Sequence, residues 1–181
     1  LNVSKSPGPD KLHPRILKEL ADPLSHPLKI VFQKSLESGV LPADWRAAHV
    51  APIFKAGDRS HPGNYRPVSL TCICCKLLES FVRDALLYHL ITENIMSEHQ
   101  FGFLPGRSCT LQLLVVMEDW LKIVDDRGAV DVLYLDFRKA FDSVPHKRLL
   151  LKLRACGVDG PLLSWLQAFL GNRRQRVAVE G

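Results

Sequence analysis

The sequence contains little that would place the protein in a membrane or a secretory pathway. None of its segments holds about 18 consecutive apolar residues, and no charged segment followed by an apolar one opens the chain. These absences argue against a membrane span and against a secretory signal. We therefore expect a protein that is not secreted and that works inside the cell, in the nucleus, the cytoplasm or both.

The cysteines and histidines lack the spacings that disulfide frameworks and zinc sites require. The five cysteines are odd in number, and three of them crowd into the sequence around Cys72, Cys74 and Cys75. This crowding matches neither a set of paired disulfides nor a CxxC zinc motif. The seven histidines form no HxxxH motif and no His-Cys pair. We expect free thiols in a reducing compartment and no zinc.

The charge balance favours a polyanionic partner without requiring one. The 181 residues include 24 Lys and Arg against 19 Asp and Glu, which gives a formal net charge of +5. This length suits one domain or part of a larger one. The chain opens at Leu1 without an initiator Met and stops directly after an apolar-alternating stretch, so we expect a fragment.

The first part of the chain has helix signals and then hairpin signals. Asp10 is a candidate cap for a first helix, Pro23 would interrupt it, and a second helix is expected from about Ser25 to Ser38, ended by Gly39. The short extended pieces "HVAPIF" and "RPVSL" follow, separated by a turn-rich segment with several cations. This pattern predicts a basic β-hairpin with Lys55 and Arg59 in its loop and Arg66 on the return strand.

The second part of the chain has two amphipathic patterns, a glycine-rich loop and two shorter helices. Apolar residues repeat at three-four spacing around Leu78 to Leu86 and Leu113 to Val124, which predicts two helices packed on a core. Between them, "QFGFLPGRS" is typical of a ligand-facing loop that ends in Arg107 at a helix entrance. Further helices are expected at about 146–155 and 161–170, and "RRQRVAVEG" predicts a final strand.

A single carboxylate ends the apolar run at residues 132–135. Side chains alternate along a strand, so Val132, Tyr134 and Asp136 would share one face of it. A carboxylate at the rim of a sheet could hold a magnesium ion together with phosphate oxygens of a substrate. It could equally cap the turn into the next helix. The ten residues "VLYLDFRKAF" at 132–141, taken alone, leave both interpretations open.

Five segments follow one another along nearly the whole chain. They are "SPGPDKLHPRILK" at 6–18, "APIFKAGDRSHPGNYRPVSL" at 51–70, "KLLES" at 76–80, "QFGFLPGRSC" at 100–109 and "LYLDFRKAFDSVPH" at 133–146. In this order they resemble the reverse transcriptase domain of non-LTR retrotransposons, in particular the jockey-like and chicken-repeat-like elements of the LINE class.

The resemblance implies roles for residues around the lone carboxylate. Asp136 matches the first catalytic aspartate, which in the family binds two Mg²⁺ ions, with Mn²⁺ as an alternative. The backbone carbonyl of Phe137 would be a further metal ligand. Phe141 matches the aromatic steric gate that rejects a 2′-hydroxyl, and Asp142 is expected to orient the turn beside the site.

The resemblance also implies nucleotide and template contacts, with an RNA template, a DNA primer and a dNTP as substrates. Lys55 and Arg66 match the residues that hold the incoming triphosphate, whereas without the motif both would be read as solvated hairpin charges. Gly106 and Arg107, with Gly102 and Pro105, match the segment that approaches the template. Taken by itself, Gly106 could instead be needed only for the conformation of the turn.

The implied fold is α+β, a partial right-hand polymerase. Residues 1–128 would form helical fingers with the basic hairpin, and residues 129–181 the first part of an antiparallel palm sheet. The family's "PQG" loop and Asp-Asp hairpin do not occur in the sequence, and Asp125-Asp126 is expected to be a solvated helix end. We therefore expect little or no polymerase activity from this chain alone. The alternative is a non-catalytic nucleic-acid-binding remnant of such an element.

Overall fold

The protein is a mixed helix and sheet structure, described by a computed structural model for residues 1–178. Within these residues six α-helices accompany a sheet of three strands. In chain order the elements are α1 Pro14–Glu19, α2 Ala21–Ser38, β1 Ala47–Phe54, β2 Tyr65–Thr71, α3 Ile73–Thr92, α4 Cys109–Asp125, α5 His146–Ala155, α6 Gly160–Leu170 and β3 Arg174–Val177. None of these helices is long and apolar enough to cross a membrane.

The chain packs as two compact units. The larger unit combines Leu1–Leu86 with the chain from Pro145 onward, and the smaller unit is Leu87–Val144. The boundary expected at residue 128 divides the chain into fingers and palm, whereas these units are defined by packing alone. The expected boundary therefore stays a prediction.

The first two helices begin at different residues from those expected. The cap of α1 is His13, whose Nδ1 accepts a hydrogen bond from the Arg15 N–H at 3.2 Å, while Asp10 accepts from the Leu12 N–H in the preceding turn. Helix α2 begins at Ala21, so Pro23 lies in its first turn. A proline is tolerated there because the first turn of a helix has no use for that N–H. The predicted interruption at Pro23 was therefore wrong.

The end of α2 and the later helices are where the sequence places them. Gly39 follows α2 in the left-handed conformation, with φ +66°, as expected for a glycine that ends a helix. Helix α5 spans His146–Ala155, and Gly157 with φ +84° separates it from α6. These boundaries confirm the predictions made from glycine and proline positions.

The sheet contains the predicted hairpin and the predicted final strand. Its order is β2-β1-β3, with β1 antiparallel to β2 and parallel to β3. The antiparallel pairing expected for residues 129–181 was therefore wrong for β3, which joins the hairpin in parallel. Ile53 lies opposite Arg66, and His49 lies opposite Arg176. Of the final segment "RRQRVAVEG", residues 179–181 lie outside the described part of the chain.

The two faces of this sheet differ in burial. Ala48 and Val50 of β1 are buried, while Ile53 on the alternate face is about half exposed. Because residues opposite each other in a ladder share a face, the exposed face of the sheet also carries the side chains of Arg66 and Arg176. None of the three strands contains an Asp or a Glu.

The core of the larger unit packs α1, α2, α3 and α6 together. Its buried members are Leu17, Phe32, Leu41, Trp45, Cys72, Ile73, Cys74, Cys75, Leu78, Val82 and Trp165. Trp165 donates its indole N–H to Ser35 Oγ at 3.1 Å, and Ser35 Oγ donates to the Val40 carbonyl at 2.7 Å. The five cysteines form no disulfide among the described residues. Burial, with the neighbouring Glu79 carboxylate, raises the pKa of Cys75.

The smaller unit departs from two predictions. Helix α4 begins directly after Ser108, whose Oγ accepts from the Leu111 N–H, but no residue of α4 is buried. The predicted packing of Leu113 to Val124 on a core was therefore wrong. Residues 131–137 form no strand either, and their side chains are exposed. A strand needs a neighbour for its backbone N–H and C=O groups, and none among residues 1–178 pairs with this segment.

Candidate nucleotide and nucleic-acid site

The loop of the β1-β2 hairpin is fixed by its own hydrogen bonds. The Lys55 N–H donates to the Asn64 carbonyl at 2.9 Å, which extends the ladder by one residue. The Asn64 side-chain amide donates to the Asp58 carbonyl at 2.8 Å, and a Cβ at Gly57 would approach the Asn64 amide nitrogen to 2.8 Å. The Tyr65 hydroxyl donates to the Arg59 carbonyl at 2.8 Å. The loop therefore holds its ends in a defined position.

The carboxylate in this loop is used to build the turn. Asp58 accepts from the Ser60 N–H at 2.9 Å and from the Ser60 hydroxyl at 2.7 Å. These two hydrogen bonds hold the pKa of Asp58 below its usual value. Asp58 is thus occupied by Ser60 and forms no ion pair with Lys55 or Arg66 among the residues described.

Lys55 and Arg66 lie on the same face of the hairpin. Positions two apart along a strand share a face, so Lys55 continues the face of Ile53, which lies opposite Arg66. Diagonal neighbours on such a ladder are about 7–8 Å apart. Both side chains are exposed, and neither forms an ion pair within residues 1–178. The two cations therefore point into solvent from one rigid surface.

The third cation of the hairpin points the other way. The guanidinium of Arg59 lies 4.7 Å from the centre of the Phe54 ring, and Phe54 packs edge to face on Tyr65 with ring centres 5.5 Å apart. Phe54 and Tyr65 are partners on the face opposite to Ile53. Arg59 therefore stabilises the loop and differs from Lys55 and Arg66 in its surroundings.

In the smaller unit, Arg107 is tied to its own loop. Its Nη1 donates to the Glu98 carbonyl and, at 2.8 Å, to the Gln100 carbonyl. The guanidinium also lies 5.2 Å from the centre of the Phe101 ring. Both hydrogen bonds come from Nη1. The guanidinium group has three further N–H groups, on Nε and Nη2. Arg107 thus shapes the loop at residues 98–107 and keeps donors available.

The glycines of this loop serve its backbone conformation. Gly106 has φ +73°, and a Cβ added there would meet nothing within 4 Å. Its requirement for glycine is therefore conformational within this chain. The Gly102 carbonyl accepts a hydrogen bond from the Gln100 side chain at 2.8 Å, and Pro105 precedes Gly106 in an exposed turn.

The lone carboxylate and its neighbours lie on an exposed segment of the smaller unit. Asp136, Phe137 and Asp142 are all exposed. Phe141 is 77% exposed and packs edge to face on Phe103, with ring centres 5.8 Å apart. The predicted position of Asp136 at the rim of a sheet was wrong, because residues 131–137 pair with no strand in the part of the chain described.

These residues do not complete a magnesium site. Within residues 1–178 no group of three or more His, Cys, Asp or Glu side chains is placed to hold a metal ion. Asp136 therefore supplies one carboxylate, whereas an ion held by protein and phosphate oxygens needs further ligands. The pair Asp125-Asp126 is the exposed end of α4, as expected, and provides none.

The structure brings together some of the predicted site residues. In the larger unit it joins Lys55 with Arg66 on one face of the hairpin. In the smaller unit it places Phe141 against Phe103 and Arg107 against the loop that precedes it. No role was assigned from the sequence to Arg46, which carries no local signal. The segment that contains Arg173 and Arg174 was used only to predict a final strand.

The ordered motifs resemble those of a class of nucleotide-polymerising enzymes, and the comparison with known proteins agrees with this resemblance. The reverse transcriptase (RNA-dependent DNA polymerase) family matches residues 53–181. This match covers most of the chain. The chain therefore belongs to the reverse transcriptase family.

Its relatives place it in the jockey-like, non-LTR branch of that family. The chain is 30% identical over 180 residues to a probable RNA-directed DNA polymerase from transposon BS of Drosophila melanogaster, covering 99% of this chain and 20% of that protein. It is 31% identical to the corresponding protein of transposon X-element, over 94% of this chain and 19% of that protein. It is 29% identical to the RNA-directed DNA polymerase from mobile element jockey of Drosophila melanogaster, over 100% of this chain and 20% of that protein. The chain thus spans about a fifth of the length of these relatives.

Proposed function

We propose that this chain is the fingers and the first part of the palm of an RNA-directed DNA polymerase from a non-LTR retrotransposon. Residues 1–128 would contribute the fingers and residues 129–181 an incomplete palm. The family match and the similarity to the transposon BS and jockey polymerases support the polymerase. The complete enzyme would be a longer polypeptide that contains this chain, and we call it the parent polypeptide. Its substrates would be an RNA template, a DNA primer and dNTPs.

The single observation that carries the proposal is the shared, exposed face of Lys55 and Arg66. Two cations on one face of the hairpin, neither of them in an ion pair within residues 1–178, suit the triphosphate of an incoming nucleotide. Arg66 precedes Pro67, which favours an extended backbone, and its guanidinium can bind two phosphate oxygens at once. Lys55 and Arg66 would thereby orient the α-phosphate toward the primer 3′-hydroxyl.

Asp136 and the Phe137 carbonyl would bind magnesium in the parent polypeptide. Bound magnesium would supply positive charge to offset the negative charge that develops when the 3′-hydroxyl displaces pyrophosphate. Because residues 1–178 do not gather the necessary carboxylates, we propose that the remaining ligands come from other parts of the parent polypeptide. For the same reason we propose that the 181-residue chain alone has little or no polymerase activity.

Two further contacts complete the proposed site. Phe141, an exposed aromatic ring on the same segment as Asp136, would press on the sugar and exclude a 2′-hydroxyl, with Asp142 orienting the turn beside it. Gly106 and Arg107 would face the template, and the free N–H groups of Arg107 suit its phosphates.

The hairpin assignment is tested by steady-state primer extension with the parent polypeptide. Lys55→Gln and Arg66→Gln should each raise the KM for dNTP about tenfold or more, because each removes a charge-assisted hydrogen bond to phosphate. Arg59→Gln is the matched control: it removes the same charge from the same loop but on the opposite face, and the KM should change less than about twofold. Equal effects of all three substitutions would refute the assignment.

A non-catalytic nucleic-acid-binding remnant is the second candidate. The absence of a metal-binding carboxylate group within the described residues and the acid-free strands favour it. The two candidates differ in the parent polypeptide, since only the polymerase would extend a primer.

A further inference from the structure

A basic pocket lies in the larger unit, apart from the hairpin loop. It has a volume of about 730 Å³ and is bordered by the turn before β1 and the turn that leads from α6 into β3. Three of its lining residues are arginines: Arg46, Arg173 and Arg174. Asn172 adds a side-chain amide, and the described lining contains no Asp or Glu. An open pocket of this composition attracts anions.

One of these arginines has a donor without a partner. The Nε of Arg46 is buried and makes no hydrogen bond within residues 1–178. A buried N–H without a partner costs free energy, so an acceptor supplied by a ligand would be favoured there. Arg46 and Asn172 also line a neighbouring cavity of about 480 Å³, so an anion could approach this side chain from two sides.

The second arginine is held rigidly by the core. The Arg173 guanidinium lies 4.8 Å from the centre of the Phe169 ring and donates to the Phe169 carbonyl at 3.1 Å. Phe169 stacks on Trp165, with ring centres 5.2 Å apart, and Trp165 is bonded to Ser35. Ser35 in turn donates to the carbonyl of Val40, which lines the same pocket. Such a fixed cation loses little conformational entropy when it binds a ligand.

The third arginine continues the pocket along the exposed face of the sheet. Arg174 lies opposite Ala47, and two residues further along Arg176 lies opposite His49, with Arg176 Nη2 3.1 Å from His49 Nε2. The same face of β1 continues to Arg66 and Lys55. Lys55 follows Ala47 by eight residues, which corresponds to roughly 26 Å along an extended strand. Cations thus occur at intervals along one face that contains no carboxylate on its strands.

We propose that the pocket formed by Arg46, Arg173 and Arg174 binds the phosphodiester backbone of a nucleic-acid strand, which then runs along the exposed face of the sheet. Guanidinium groups bind phosphate oxygens in pairs, and a row of cations without base-reading partners fits a backbone better than a single small anion. None of the residues Lys55, Arg66 and Asp136 lines this pocket, and binding here does not require catalysis.

The test is binding of a fluorescein-labelled 20-nucleotide RNA to the 181-residue chain, followed by fluorescence anisotropy at several salt concentrations. Arg173→Gln with Arg174→Gln should raise the Kd about tenfold or more. The dependence of log K on log salt should become shallower by about 1.4, since each lost contact to a single strand accounts for about 0.7. The single variant Arg174→Gln should show half of that change in slope. Its side chain is exposed and makes no hydrogen bond among the described residues, so it should fold normally.

The matched control is Arg15→Gln with Lys18→Gln on α1, which lowers the net charge by the same amount at exposed positions away from the pocket. Its Kd should change less than about twofold. The pair Arg173→Lys and Arg174→Lys should fall between wild type and the Gln pair, because lysine keeps the charge but not the paired donors. Circular dichroism and the Tm verify that each variant is folded.

Three results would overturn the proposal. The first is an equal increase of the Kd for RNA in the Arg173→Gln, Arg174→Gln variant and in the α1 control variant, which would mean that only the net charge matters. The second is an unchanged Kd in a folded Arg174→Gln chain. The third is equal competition by poly-glutamate or by inorganic phosphate at matched charge, which would make the pocket a general anion site. Failure here would leave the hairpin assignment intact, because that is measured as a KM for dNTP.

Discussion

At the scale of single residues, one buried hydrogen-bond chain connects the core to the basic pocket. Ser35 is 5% exposed, accepts the indole N–H of Trp165 and donates to the Val40 carbonyl. Trp165 is 1% exposed and carries Phe169, on which Arg173 lies. The position of Arg173 therefore depends on a serine more than a hundred residues away in the sequence.

Replacing that serine should destabilise the fold. Ser35→Ala leaves the buried Trp165 N–H without its acceptor and removes the hydrogen bond to the Val40 carbonyl, so the free energy of unfolding should fall by about 1–3 kcal/mol. Urea denaturation followed by tryptophan fluorescence measures this change. Ser164→Ala is the control, because Ser164 is exposed and donates only to the Gly160 carbonyl of its own helix. A loss for Ser35→Ala no greater than for Ser164→Ala would contradict the role given to this chain of bonds.

The surroundings of a residue could be predicted where it belongs to a local motif. They could not be predicted where they depend on packing between segments that are distant in the sequence. Lys55 and Arg66 could be assigned from their place in the hairpin motif, and their shared face follows from strand parity. Arg46 could not, because only the approach of β3 to β1 turns it into a pocket residue. The bonding of Arg107 to the carbonyls of Glu98 and Gln100 also has no sequence signal.

At the scale of elements, the sequence predicted those that local chemistry decides. The hairpin, α5 and the end of α2 follow from turn residues, glycines and prolines, and the structure confirms them. The strand expected at 132–136 is missing because a strand depends on a neighbour, and none is available among residues 1–178. Helix α4 formed as its pattern predicts, but a periodic apolar pattern cannot by itself say what the helix packs against.

One motif glycine has an element-scale explanation that the sequence did not reveal. Gly8, in "SPGPDK", is buried where the N-terminal segment crosses the end of β2, and a Cβ there would lie 2.5 Å from the Thr71 carbonyl oxygen. Real Cβ atoms do not come so close to backbone, so the two elements would have to separate.

Gly8→Ala should therefore destabilise the larger unit by roughly 1–3 kcal/mol, as overpacking commonly does. The measurement is the midpoint and slope of urea denaturation. Gly102→Ala is the matched control, because its added Cβ would meet only the Gln100 side chain at 3.7 Å. Equal stability of the Gly8→Ala and wild-type chains would show that this close approach does not constrain the fold.

At the scale of the whole molecule, the described chain combines a well-packed unit with a poorly buried one. The larger unit has a continuous core, whereas the smaller one exposes α4 and residues 131–137. The chain also spans only about a fifth of its relatives. These facts agree with the proposal that Asp136 acts together with other parts of a longer polypeptide.

The most direct test of this account is primer extension on poly(rA)/oligo(dT) with magnesium and dTTP. The parent polypeptide should extend the primer, its Asp136→Asn variant should be slower by about a thousandfold or more, and the isolated 181-residue chain should be inactive. Asp126→Asn, at the exposed end of α4, is the control and should retain the parent's rate. Synthesis by a folded Asp136→Asn variant at the rate of the Asp126→Asn control would contradict the central assignment.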